Sequence, residues 1–262
     1  MSLPVVLVTG AAQRIGRAIA LHLATLGWRV AVHYRRSAAQ AQDVVASIGA
    51  DRAQAFAADL ADEAECNALV PAVRQAFGRI DAVVHNAALF EHDDVTGFSY
   101  AAMERHWRAN TAPAIVLGRA LHASVSQQAP LSAGGSVLIN LLDQKLWNPN
   151  PDHVSYTLSK AALAAANTLL AQALAPLVRV CGVAPGITLL SGEMSGPEFD
   201  TAHGMTPLRR GSSELDIAQA VAYLLTAQAV TGTTLLVDGG QHLQAQPRDV
   251  MFLARQDLEE NK

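Results

Sequence analysis

The chain has 262 residues, half of them hydrophobic and 16% charged, with a formal net charge of −4. This excludes a disordered or filamentous protein and fits a globular enzyme with a sizeable core, in one large domain or two small ones. No block of Lys or Arg stands out and no run approaches the roughly 20 apolar residues that cross a bilayer, so neither a nucleic acid nor a membrane is an expected partner.

The opening MSLPVVLVTG has neither the basic region nor the long apolar stretch of a signal peptide, so a cytoplasmic location is expected. Cys66 and Cys181 lie far apart and read as reduced, buried thiols. Strands are predicted at Val5–Val8, Trp28–Tyr34, Gln54–Ala58, Ala82–His85, Ser136–Leu141, Val178–Val183 and Thr234–Val237. These runs are rich in Val, Ile and Leu without strict alternation, as strands buried on both faces should be. Between them, helical spacing occupies Ile15–Leu26, Ala38–Ile48, Glu63–Phe77, Ala101–Arg108, Ala112–Val125, Tyr156–Leu174 and Glu214–Leu225. Such alternation predicts an α/β fold, a Rossmann-type doubly wound parallel sheet, in a single domain over residues 1–245. Gly186–Leu208 breaks any period at the carboxyl edge of the sheet and reads as a substrate lid or a surface loop, with SGE at 191–193 as the lid tip or as plain loop. The polar tail, 246–262, reads as either a short amphipathic helix or a disordered segment.

Val5–Val8 runs into TGAAQRIG and then into a helix, the place where a pyrophosphate meets backbone N–H groups and a helix N-terminus. Gly10 supplies the tight turn and Gly16 lets the helix lie close to the sheet, while Arg14 stands where the related pattern has a middle glycine. At the end of the second strand, HYRRS replaces the acidic residue that would accept from a ribose 2′-OH. Arg36 and Ser37 suit a 2′-phosphate there, so NADPH is the expected cofactor, with His33 and Tyr34 beside it; a solvated basic turn is the plainer alternative.

Tyr156-Thr157-Leu158-Ser159-Lys160 places a tyrosine and a lysine at i and i+4, side by side on one helix face. A free tyrosine hydroxyl, at about 10, is too weak an acid for proton exchange near neutrality, and a neighbouring ammonium is expected to lower it. With TGxxxxxG, HNAA at 85–88, Asn110, Pro185-Gly186 and VDGG at 237–240, in that order, the chain resembles the short-chain dehydrogenase/reductase family from Val5 to Leu243.

The resemblance implies that Thr9, Gly10, Arg14, Ile15 and Gly16 form the cofactor turn. It implies that Asp59 and Leu60 lie near the adenine, and that Asn86, Ala87, Pro185 and Gly186 line the cofactor, with His85 departing from the usual asparagine. Asn110 would support a relay water, Tyr156 would be the acid/base and Lys160 would bind the nicotinamide ribose. A homotetramer built on the long helices is implied by resemblance alone. Where the family carries a substrate-binding serine, thirteen residues before its tyrosine, this chain has Asp143.

Asp143, Arg14, HYRRS, Phe90 in HNAALF and PGITLL at 185–190 together look like the pteridine reductase branch, which reduces biopterin- and folate-type rings. A flat pteridine suits a sandwich between nicotinamide and Phe90, unless Phe90 is an ordinary core aromatic. Arg14 either reaches the pterin or clamps phosphate only. Reducing a C=N bond requires a proton on nitrogen, and Asp143 either relays it with Tyr156 or anchors the amino-pyrimidine edge as a carboxylate. A ketone reductase such as a 3-oxoacyl-carrier reductase and a non-catalytic NADPH sensor are the rival readings. Nine scattered histidines show no HxxxH or HExxH spacing, so no metal is expected. Trp28 reads as strand packing; Trp147, after Asp143, stays open between wall and surface.

Overall fold

A computed structural model describes residues 3–129, 135–190 and 194–260; the expected lid tip at 191–193 lies outside them. In chain order the elements are β1 (Val5–Val8), α1 (Arg14–Thr25), β2 (Arg29–Tyr34), α2 (Ala38–Ile48), β3 (Ala53–Ala57), α3 (Glu63–Phe77) and β4 (Ala82–His85). There follow α4 (Tyr100–His106), a π-helical turn (Trp107–Thr111), α5 (Ala112–Val125), β5 (Ser136–Leu141), α6 (Val154–Ala173) and β6 (Val178–Pro185). The chain ends with α7 (Gly196–Gly204), α8 (Glu214–Thr226), β7 (Thr234–Val237) and α9 (Val250–Glu260).

The strands form one sheet in the order β3-β2-β1-β4-β5-β6-β7, and every neighbouring pair is parallel. Successive side chains on a strand face opposite sides. Val6, Val8, Val30 and Val32 therefore meet Ile19 and Leu23 of α1, Val44 of α2 and Val221 and Leu224 of α8 in one core. Val5, Leu7 and Ala31 meet Leu69 of α3, Leu117 and Leu121 of α5 and Leu170 of α6 in the other. Covered on both faces, the strands carry the unbroken Val/Ile/Leu runs seen in the sequence. Strand order reverses between β1 and β4, and the crevice that opens there at the carboxyl ends is where such sheets bind ligands.

One expectation changes and one open alternative is decided. The helix predicted over Ala101–Arg108 ends at His106 and widens into the π turn before α5. Pro113 in the first turn of α5 has no N–H to carry a regular ladder through this point. The tail is helical in α9 and packs on α7, with Met194, Ala202, Val250 and Ala254 as a small core between them. Cys66 and Cys181 are buried and free, and Trp28 packs against the first core, as expected. Among the described residues no helix is long and apolar enough to cross a membrane.

Candidate active site

One cavity of about 1030 Å³ runs along the carboxyl edge of the sheet, from the end of β2 past the β1 turn to Tyr156. Single-ligand pockets reach roughly 1,000 Å³, so it has room for a dinucleotide and a second small molecule.

At its first end Gly10 turns with φ +63°, in the left-handed region. A Cβ on Gly16 would overlap the Gly10 carbonyl oxygen, so α1 packs against the turn as only glycine permits. Thr9 and Asn86 join β1 to β4. The Thr9 hydroxyl accepts from the N–H of Asn86 at 2.9 Å and of Ala87 at 3.0 Å, and Asn86 Nδ2 donates to the Thr9 carbonyl at 2.9 Å. Tyr34, Arg35, Arg36 and Ser37 line the cavity at the end of β2, with Asp59 and Leu60 beside them. The Asp59 carboxylate is already occupied by the Ala61 N–H at 3.0 Å.

His33 lines the cavity as well, and its ring also has a structural part. Its ring is buried and both nitrogens are used: Nδ1 accepts from the Gly10 N–H at 3.0 Å, and Nε2 lies 3.0 Å from the Ala58 carbonyl. An N–H donor at Nδ1 puts the ring proton on Nε2, so a neutral imidazole bolts the glycine turn to β3. Burial lowers its pKa to about 4 and keeps it neutral.

At the other end Pro185 and Gly186 close β6, with the Gly186 N–H donating to the Val237 carbonyl at 3.1 Å. Arg14, at φ +53°, sends Nη2 to the Leu190 carbonyl at 2.9 Å and spans the cavity between α1 and the segment after β6. Ile187, Thr188, Leu189 and Met194 of the 186–208 segment face the cavity, together with Ile15.

The reactive centre is compact. Asp143 accepts the Lys145 N–H on Oδ1 at 2.8 Å and the Tyr156 hydroxyl on Oδ2 at 2.8 Å. Lys160, one turn along α6, donates to the Leu141 carbonyl at 2.6 Å, and its Nζ stands 5.7 Å from the centre of the tyrosine ring. Asn110, in the π turn, is buried. Its amide accepts from the Leu89 N–H at 2.6 Å and donates to the Leu89 carbonyl and the Ser159 hydroxyl, both at 2.9 Å. Its side chain thus ties the segment before Phe90 to the helix bearing Tyr156.

Electrostatics overturn one expectation. Tyr156 is not lowered: burial, and then the Asp143 charge and hydrogen bond, hold its hydroxyl well above 10. Asp143 is raised too, by burial, against the pull of the Lys145 N–H, Tyr156 and Lys160. Burial brings Lys160 down to about 8 despite the nearby Asp143. The lysine's charge is outweighed because the tyrosine sits in a dry place and faces a carboxylate. Burial therefore favours the protonated forms of the Asp143–Tyr156 pair.

Phe90 is a cavity wall rather than a core residue, 45% exposed. It stands edge-on to Tyr156, with ring centres 4.7 Å apart, and stacks on His153 at 4.3 Å. Asp93, three residues on, caps α6 by accepting from the Ser155 N–H at 3.0 Å, which fixes the Phe90 loop to the catalytic helix. His92 meets His153 and Phe252 edge-on. Trp147 is 44% exposed and lies off the cavity.

Sequence reasoning missed Lys145, His92 and His153, and the wall that the tail supplies through Asp249, Met251, Phe252 and Arg255. The apolar run Val250–Leu253 between charged residues was the signal for a docked helix. Among the described residues no group of three His, Cys, Asp or Glu side chains could hold a metal ion.

A family model described as enoyl-(acyl carrier protein) reductase matches residues 10–242. The structure is similar to that of FolM alternative dihydrofolate reductase 1 from Brucella canis complexed with NADP, with a TM-score of 0.85 and 33% identity over 94% of this chain and 97% of that one. Pteridine reductase 1 of Leishmania tarentolae is 30% identical over 279 residues, 92% of this chain and 96% of its own length. The 3-oxoacyl-[acyl-carrier-protein] reductase FabG of Staphylococcus aureus is 30% identical over 246 residues, 90% of this chain and 97% of its own. The chain belongs to the short-chain dehydrogenase/reductase family of oxidoreductases and is similar to its pteridine reductase branch.

Proposed function

We propose that the protein is an NADPH-dependent reductase of dihydropteridines, of the biopterin, monapterin or folate type. The observation that carries this is the 2.8 Å bond from the Tyr156 hydroxyl to Asp143, beside the ring of Phe90. A ketone reductase of this family offers a serine hydroxyl to the developing oxyanion, and Asp143 stands in that place here. Reduction of a C=N bond needs a proton for nitrogen, which a pair that retains its protons in a dry pocket supplies.

Bound in this cavity, NADPH would supply a hydride to the ring carbon. The rest is done by this chain. Arg36 and Ser37 hold the 2′-phosphate and the turn from Gly10 to Gly16 takes the pyrophosphate. Lys160 holds the ribose next to Tyr156, Phe90 packs the flat ring against the nicotinamide, and the 186–208 segment serves as the lid. Asp143 first takes up a proton from solvent; as Tyr156 gives its own proton to the ring nitrogen, the Asp143–Tyr156 hydrogen bond reverses and Asp143 reprotonates the tyrosine, so the C=N bond gains one hydride and one proton. We favour a homotetramer through α5 and α6, whose Ile115, Leu158 and Leu169 are exposed; a stable monomer in light scattering would refute it.

Asp143→Asn tests the relay. It keeps an acceptor for Lys145 but cannot pass on a proton, so kcat for the pterin should fall about 100- to 1,000-fold with KM nearly constant. A raised KM with unchanged kcat would make Asp143 an anchor instead.

A further inference from the structure

The tail returns to the reactive centre through a specific clamp. Asp152, almost fully buried just before α6, accepts Arg248 Nε on both oxygens at 3.0 and 2.9 Å and the Asp249 N–H at 2.7 Å. Its own carbonyl accepts Lys145 Nζ at 2.5 Å. Arg248 lies over the Phe252 ring, 4.6 Å from its centre. Asp249 accepts the Met251 N–H at 3.1 Å at the start of α9, so its carboxylate is fixed by the helix it caps. Fixed in this way, it faces the cavity that holds Asp143 and Tyr156, 3.9 Å from the buried ammonium of Lys145.

We propose that Asp249 is a positioning residue for the reaction: the Asp152 clamp brings its carboxylate into the substrate cavity, where, with Lys145, it sets the electrostatic field in which Asp143 and Tyr156 donate a proton. This rests on the pteridine reductase reading for the identity of the reaction. A fixed negative charge in a partly dry cavity opposes formation of a second one nearby. The Asp249 charge contributes to the upward shift of both Asp143 and Tyr156.

The groups that face Asp249 come from several elements. Lys145 approaches from the connection after β5, Asp152 and His153 from the start of α6, and Arg248 from the tail itself, while Asp143 and Tyr156 stand across the cavity. His92 lies behind His153, and the Arg255–Glu198 pair at 2.6 Å closes the far side between α9 and α7. Lys145 is bracketed by the carboxylates of Asp143, Asp152 and Asp249, which favour its charge against burial. Loss of the Asp249 charge therefore leaves Lys145 facing the reactive pair with less to offset it, which acts in the same direction on that pair.

Asp249→Asn preserves shape and capping and removes only the charge. Two measurements decide: the pH profile of kcat/KM with dihydrobiopterin, and carboxyl ¹³C NMR titration of Asp143 in cofactor-free protein, assigned with Asp143→Asn. Both the basic limb and the Asp143 titration should move to lower pH by about half a unit to one unit, as for one charge at an effective dielectric near 20. Asp249→Glu should restore both, and Asp249→Ser, which also caps a helix, should repeat the shift. An unmoved titration in variants that keep the wild-type Tm would overturn the proposal, as would a kcat or KM change equal at every pH. If the wild type fails to turn over the pterin, the functional reading falls, while the titration still decides the effect of Asp249.

Discussion

Replacing His33 by Gln should remove much of the acid sensitivity of the fold. The ring makes two hydrogen bonds of 3.0 Å in a buried site, and burial lowers its pKa from 6.5 to about 4. Because the folded value is depressed, the stabilisation from a neutral ring is fully present above 6.5 and is lost as pH falls toward 4. The whole gap corresponds to roughly 3 kcal/mol, of which roughly 2 kcal/mol is lost between pH 7 and pH 5. His85, buried beside Lys160 and lowered to about 3, is lost over the same interval and continues below it. Gln can accept from Gly10 and donate to Ala58 without titrating. Urea unfolding of wild type and His33→Gln at pH 7 and pH 5 should show the variant losing about 2 kcal/mol less than wild type. Equal losses in the two proteins would mean that His33 is not the neutral bolt between the glycine turn and β3.

Further outcomes follow from the cavity. Arg36→Ala should raise KM for NADPH roughly 10- to 100-fold and leave NADH unaffected, since a charge-assisted bond to a 2′-phosphate is worth about 1.5–3 kcal/mol; steady-state kinetics with both nucleotides checks this. Gly16→Ala drives a Cβ into the Gly10 carbonyl, which backbone cannot avoid, and should cost about 1–3 kcal/mol in urea unfolding and weaken NADPH binding in fluorescence titration. Phe90→Leu removes the aromatic face beside Tyr156 and should raise KM for the pterin about 2- to 10-fold, with NADPH binding unchanged.

Much of this molecule is legible in its sequence because local chemistry and global fold agree. Strands covered on both faces write continuous apolar runs, and TGAAQRIG and YTLSK each place reacting groups within one turn of chain. Asp143 was legible because its spacing from Tyr156 survives in the fold as a direct hydrogen bond. His33 was assigned by its neighbours Arg36 and Ser37. Strand alternation places it on the same face as Ala31, where its bonds to the Gly10 turn and Ala58 add a structural role that the motif does not report. The direction of the Tyr156 shift was misjudged because an i, i+4 spacing reports adjacency to Lys160 but not depth of burial. The tail wall was invisible for another reason. It depends on Asp152 meeting Arg248 and Asp249, a long-range contact that no local pattern encodes.

The most direct test of the account follows NADPH oxidation by the purified protein with dihydrobiopterin, and in parallel with an acetoacetyl thioester. Turnover of the pterin with little or none of the thioester is the predicted result, and it would place Asp143 and Phe90 at the reacting ring. Turnover of the thioester alone would contradict the central claim, leaving the fold, the nucleotide cradle and Tyr156 in the service of a ketone reductase.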